Sequence, residues 1–198
     1  MKRLWLKTGA VIQGHVRLGE FNLLWAFQPD DPASLAGLPL INQLAQEYVP
    51  QGLHILGLST AFEHFGGDAE AQTHELLTAP ESAALFPVVM DYLHQSGADI
   101  PESYLSFLCE RIPAFDSWPL SEQEALRLKA RRYLSSKEAW AVTLTLNEFA
   151  RTPVLVLFNR YYEILEAWAG TPDPEEVHAR IAYWLSHIKS EDLNVDPY

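Results

Sequence analysis

The apolar positions of this chain fall into continuous runs and spaced stripes. Leu23, Leu24, Trp25, Ala26 and Phe27 form one unbroken run, and Leu53-His54-Ile55-Leu56-Gly57-Leu58-Ser59 forms a second that is nearly unbroken. A short apolar run ended by turn residues fits a strand buried on both faces. Between them, Leu35, Leu38, Leu40, Ile41, Leu44, Ala45 and Tyr48 recur at spacings near three and four, which is one apolar face of a helix. Gln28-Pro29-Asp30-Asp31-Pro32 ends the first strand; Asp30 or Asp31 suits the helix N-cap and Pro32 the first helical position. Pro39 interrupts the stripe and predicts a kink, and Gly52 provides the exit. Strand, helix and strand in this order predict a parallel pair with a right-handed crossover.

The flanks carry weaker patterns. Leu4, Leu6, Val11, Ile12 and Val16 alternate loosely around Thr8-Gly9 and predict a hairpin ahead of the core strand. Asp68 caps a helical stretch reaching about Thr78. Pro101 and Glu102 open a helix through Leu108 and Cys109 to Arg111, and Pro113 to Pro119 bounds a loop whose Phe115 and Trp118 look exposed. Those two rings either form a partner surface or cover a small local core. Ser121-x-x-Glu124 reads as a capping box for a helix to about Leu134. Ser135 or Ser136 then caps another through Trp140, Leu144 and Leu146 towards Phe149. Val154 to Phe158 is an apolar strand, Asn159 to Tyr162 a turn, and Glu163 to Trp168 a strand pairing antiparallel with it. Asp173 caps a last helix with Pro174 first and Val177, Ile181, Trp184, Leu185 and Ile188 on its apolar face. The acidic tail from Glu191 to Tyr198 reads as loose.

Composition narrows the class. The 198 residues suit one domain, and 48% hydrophobic residues with six tryptophans are ample for a core. A net charge of −12 argues against nucleic acid and anionic membrane as partners. Arg127, Lys129, Arg131 and Arg132 are the one candidate basic face. The single cysteine, Cys109, permits no intrachain disulfide and so implies no oxidising compartment. No apolar run approaches the roughly 20 residues that span a bilayer, and residues 1–14 carry no signal-peptide core. We therefore expect a soluble, cytoplasmic protein.

Trp25-Ala26-Phe27, the Asp31 to Ser34 turn, Leu38-Pro39 and the strand end Gly57 to His64 together resemble the redoxin branch of the thioredoxin-like superfamily. That branch holds TlpA-type thiol–disulfide oxidoreductases and peroxiredoxin relatives. Phe86-Pro87-Val88-Val89-Met90-Asp91 is similar to its FPV–D strand, and Arg151-Thr152-Pro153 followed by Val154 to Arg160 to its GTP-then-strand segment. The match covers roughly 20–62, 85–91 and 145–188. The resemblance implies a thioredoxin-like three-layer α/β fold: a central mixed sheet, helices on both faces, and a helical insertion at 92–147 within a single domain of residues 1–198. It implies that Thr152-Pro153 is cis, beside the turn, with backbone groups that pair with an extended substrate.

The departure from the pattern is chemical. The family's Cys-Pro-x-Cys falls on Asp31-Pro32-Ala33-Ser34, so both cysteines are missing. Disulfide exchange needs a thiolate that attacks a disulfide sulfur, which neither a carboxylate nor an unactivated hydroxyl supplies. Asp31 reads as a helix cap or, more sharply, as a carboxylate working on a ligand. Cys109, in a helix, reads as buried and inert. His64, His74, Glu63, Glu75 and Asp68 lack any metal-ligand spacing, and no phosphate loop or Gly-x-Ser-x-Gly elbow occurs, so no catalytic residue, metal or cofactor is expected. The expected function is a redox-inactive thioredoxin-like protein that binds a protein or peptide. Its groove would lie between Asp31–Ser34 and Thr152-Pro153, with Phe27, Gln28, Glu63 and His64 as rim contacts. The alternative is an atypical redoxin-type oxidoreductase or peroxidase using Cys109 or a partner's thiol.

Overall fold

The computed structural model describes residues 2–60, 69–78 and 83–191, with side chains through His187. The strands are β1 Thr8–Gln13, β2 Phe21–Phe27, β3 Leu53–Ser59, β4 Val88–Asp91, β5 Leu93–His94, β6 Trp140–Ala141, β7 Val154–Asn159 and β8 Ile164–Ala169. The helices are α1 Pro32–Tyr48, α2 Ala69–Thr78, α3 Glu102–Glu110, α4 Leu120–Ser135, α5 Val142–Leu146 and α6 Pro174–Glu191. Six strands make one mixed sheet in the order β1-β4-β3-β2-β7-β8. β2, β3 and β4 run parallel, and β1, β7 and β8 pair antiparallel to their neighbours.

β2 is central, and all seven of its residues are buried. Its alternate residues serve opposite faces. Phe21, Leu23, Trp25 and Phe27 pack with Leu38, Ile41 and Leu44 of α1, Leu77 of α2, and Val177, Ile181 and Leu185 of α6. Leu24 and Ala26 face the other way, with Leu56, Leu58, Val154, Val156 and Phe158. Leu4, Leu6, Leu18 and Phe149 cover that second face. α1 keeps Pro39 on its exposed side without breaking, and Gly52 ends the crossover at φ 107°, a conformation that glycine adopts without strain.

Four sequence expectations fail, each for a physical reason. Residues 3–17 make no hairpin: Thr8-Gly9 lies inside β1, which pairs with β4 at the sheet edge. Residues 2–4 instead join the β7–β8 turn, where the Leu4 N–H donates to Tyr162 O (2.7 Å) and the Ile164 N–H to Lys2 O (2.9 Å). Ser121 caps nothing, because α4 begins at Leu120 with Pro119 as N-cap, leaving Ser121 already inside the first turn. Ser135 and Ser136 end α4 rather than start a helix, the Ser136 N–H donating to Arg132 O at 3.0 Å. Trp140-Ala141 then pairs with Leu93-His94, so α5 starts only at Val142. Phe115 is buried rather than exposed, with Trp118 half-buried 5.7 Å from it and the Arg127 guanidinium over its ring.

Residues 92–147 carry β5, α3, α4, β6 and α5 around their own apolar cluster, including Tyr104, Leu105, Phe107, Leu134, Trp140 and Leu146. Trp5 packs into that cluster from the N-terminal segment. Arg127 and Arg131 both bind the Glu102 carboxylate, so half of the candidate basic face is spent inside this segment. Among the described residues no helix is long and apolar enough to cross a membrane.

Candidate functional site

The turn between β2 and α1 is closed by its own side chains. Asp31 is the helix N-cap: Oδ1 accepts the Ala33 N–H at 3.1 Å and Oδ2 the Ser34 N–H at 3.2 Å. These are two of the donors that a helix start leaves unpaired. The Ser34 hydroxyl donates to Asp31 Oδ2 at 2.7 Å and accepts the Gln28 N–H at 3.2 Å. Ahead of β7, Thr152 Oγ1 donates to Gln28 Oε1 at 2.8 Å and lies 3.4 Å from Asp31 Oδ2. The Thr152–Pro153 peptide bond is cis. Asp31, Ser34, Gln28 and Thr152 thus form one hydrogen-bonded cluster at the carboxyl end of β2 and the start of β7.

Its chemistry is restricted. Ser34 is fully buried and its hydroxyl is held by the capping Asp31 carboxylate, so it offers a substrate no free approach. Pro32 and Ala33 are exposed, and Asp31 is half-buried. Gly170 N–H donates to Pro153 O at 2.8 Å, whereas the Thr152 backbone N–H and C=O have no partner among the described residues. Phe27 belongs to the core rather than the rim, fully buried and stacked on Trp25 with ring centroids 4.1 Å apart. Glu63 and His64, the other expected rim contacts, lie outside the described residues, as does Asp68. Among the described residues no three His, Cys, Asp or Glu side chains converge as a metal site.

Cys109 sits in α3, buried, and burial pushes its thiol pKa up. A thiolate nucleophile needs the opposite: exposure and a depressed pKa.

A second polar cluster went unseen in the sequence. Asp91, at the end of β4, accepts Thr60 Oγ1 at 3.1 Å, the Thr143 N–H at 2.9 Å and the Leu144 N–H at 3.1 Å. The cluster ties β3, β4 and α5 together. Burial raises the Asp91 pKa to about 6 and outweighs these donors, each of which favours the carboxylate. Nearby, Asn147 exchanges bonds with the Trp5 backbone (3.0 and 2.7 Å), and the Lys7 N–H donates to Thr143 Oγ1 at 3.1 Å. The sequence singled out Asp91 only as the acid that ends the Phe86 to Asp91 strand, with no sign of its partners Thr60, Thr143 and Leu144.

No family model and no curated protein matches the chain in sequence. Solved structures do match it in shape. A thiol-disulfide isomerase from Corynebacterium glutamicum is 16% identical, with a TM-score of 0.62 over 93% of this chain and 96% of that one. A thioredoxin-like superfamily protein is 17% identical at the same TM-score and coverage. A thioredoxin-like protein from Aeropyrum pernix is 11% identical, with a TM-score of 0.52 over 90% of this chain and 89% of that one. Identities this low speak to architecture alone, and that architecture is the thioredoxin-like fold.

Proposed function

We propose that this chain is a redox-inactive thioredoxin-like protein that binds an extended peptide or protein segment in the groove between Asp31–Ser34 and Thr152-Pro153. The observation that carries the reading is that the Thr152 backbone N–H and C=O have no partner among the described residues, beside a turn whose nucleophile positions hold a capping carboxylate and a buried hydroxyl. An N–H and a C=O at an open backbone edge recognise an extended strand by pairing with it. Redox silence follows from chemistry: Asp31 and Ser34 cannot carry disulfide exchange, and Cys109 is buried with a raised thiol pKa. A single thiol suits a reducing, cytoplasmic setting, which is part of the same proposal.

The test is an array of extended peptides probed with the full chain, with bound peptides then mapped by backbone NMR. The expected result is a set of binders whose shift changes centre on residues 28–34 and 151–153. An array without binders, or binders mapping elsewhere, would end the reading. Insulin reduction measured on the wild type and Cys109→Ser should be absent in both; turnover by the wild type alone would return Cys109 to the chemistry.

A further inference from the structure

The segment 92–147 holds a cavity of about 590 Å³ between α3, α4 and the β6–α5 corner, partly open to solvent. That volume is in the range of sites for drug-sized molecules. Leu108, Leu126, Trp140 and Leu144 give it an apolar lining, and the Cys109 thiol is part of the wall.

Its charged groups are unequal. The Arg111 guanidinium is spent: it donates to Leu146 O at 2.9 Å and Asn147 O at 3.4 Å, and pairs with Glu148 at 3.4 Å. It caps the end of α5, and Glu148 is neutralised in the same contact. Lys137 is different. Its ammonium lies 4.9 Å from the Tyr133 ring centroid, and no carboxylate reaches it among the described residues. The polar wall thus has one uncompensated charge, and it is positive, in a chain of net charge −12. A lysine ammonium is a compact point charge on a flexible stem, suited to a single anionic head rather than a planar bidentate one.

We infer that this cavity is a binding site for a small amphipathic monocarboxylate, with its carboxylate at Lys137 and its apolar tail among Leu108, Leu126, Trp140 and Leu144. The site is separate from the groove at Thr152-Pro153, and either can exist without the other. Three consequences are specific to it. Affinity rises with tail length, by roughly fourfold for each methylene buried. A neutral or cationic head loses the Lys137 contact. Occupancy shifts the backbone amides of Leu108, Leu126, Trp140 and Leu144, which line the cavity.

The experiment uses the full chain with hexanoate, octanoate and decanoate, and with decanol and decyltrimethylammonium as controls. Calorimetry gives affinity, and backbone NMR shifts give location. Affinity should climb through the carboxylate series, with decanoate shifting the amides of Leu108, Leu126, Trp140 and Leu144. Decanol should bind at least tenfold more weakly and the cationic amphiphile more weakly still. Lys137→Glu should weaken decanoate at least tenfold, while Lys137→Arg retains most of the affinity. Leu126→Trp, which fills the cavity from the exposed helix α4, should abolish binding with the circular dichroism spectrum unchanged. The inference is overturned if decanoate does not bind or if Lys137→Glu binds it as the wild type does. Decanol matching decanoate, or decanoate shifts centred outside residues 108–149, would overturn it too.

Discussion

Stability should fall as pH climbs past Asp91, the reverse of what a surface carboxylate in an ion pair contributes. Asp91 is buried, and burial pushes its pKa to about 6, above the ordinary aspartate value of 3.8. Between those two values the folded state holds a proton that the unfolded state has released. The slope of unfolding free energy with pH is therefore negative there: the contribution is whole below about pH 4 and lost as pH rises through 6. A gap of about two pKa units at 1.36 kcal/mol each gives a loss of about 3 kcal/mol, most of it between pH 4 and 7.5. Asp91→Asn isolates it, because the amide does not titrate and the other acidic residues are common to both proteins. The variant pays its own constant penalty: an amide group facing Thr143 N–H or Leu144 N–H leaves a buried donor unpaired, about 1–3 kcal/mol. The assay is urea unfolding by tryptophan fluorescence at half-unit steps from pH 4 to 7.5. Wild-type stability minus that of Asp91→Asn should be largest at pH 4 and shrink by about 2–3 kcal/mol by pH 7.5. A difference that is flat or that grows with pH would mean that the three donors beat desolvation, and the reasoning would be wrong.

Two further substitutions follow from backbone geometry. Asp31→Ala removes the acceptor for Ala33 N–H, Ser34 N–H and Ser34 Oγ and should cost about 1–2 kcal/mol in the same urea titration. A change within error would show that the cap contributes nothing to α1. Glu148 holds φ 57° just past the end of α5, where its N–H donates to Thr145 O (3.1 Å) and the Phe149 N–H to Leu144 O (3.1 Å). This is a Schellman end with a glutamate where glycine is favoured. Glu148→Gly should stabilise by about 1 kcal/mol, since the lost pairing with Arg111 is largely solvent-exposed on the glutamate side; a lower urea midpoint would contradict this.

What was legible in the sequence followed period and punctuation. The buried runs at Leu23–Phe27, Leu53–Ser59 and Val154–Phe158 became β2, β3 and β7, because an apolar strand of that length has few other fates. Asp31, Pro32 and Gly52 acted where their backbone preferences put them. The turn between Asn159 and Tyr162 forms without a glycine: Tyr162 takes φ 63°, and Asn159 Oδ1 accepts the Tyr161 and Glu163 N–H groups. Illegible were features decided by partners far along the chain. Thr8-Gly9 looks like a turn until Asp91 is known to pair beside it, and Ser135-Ser136 like a cap until Trp140 is known to sit opposite His94. The Thr152 contact to Gln28 joins residues 124 apart, which no local pattern encodes.

The N-terminal segment also bears on how quickly the chain can fold. Arg3 bonds to the carbonyl of Tyr161 across 158 residues, Trp5 to Asn147 across 142, and Lys7 to Thr143 across 136. Each such contact closes a loop of more than a hundred residues before it returns any energy, and sequence separation of this kind slows folding. The helical segment 92–147 has its α3–α4 contacts close in sequence and can form early. The strap that joins it to the sheet edge cannot. Chain ordering at residues 3–7 should therefore be the slow event, and hydrogen exchange pulsed during refolding would find the Trp5 and Lys7 amides protected last.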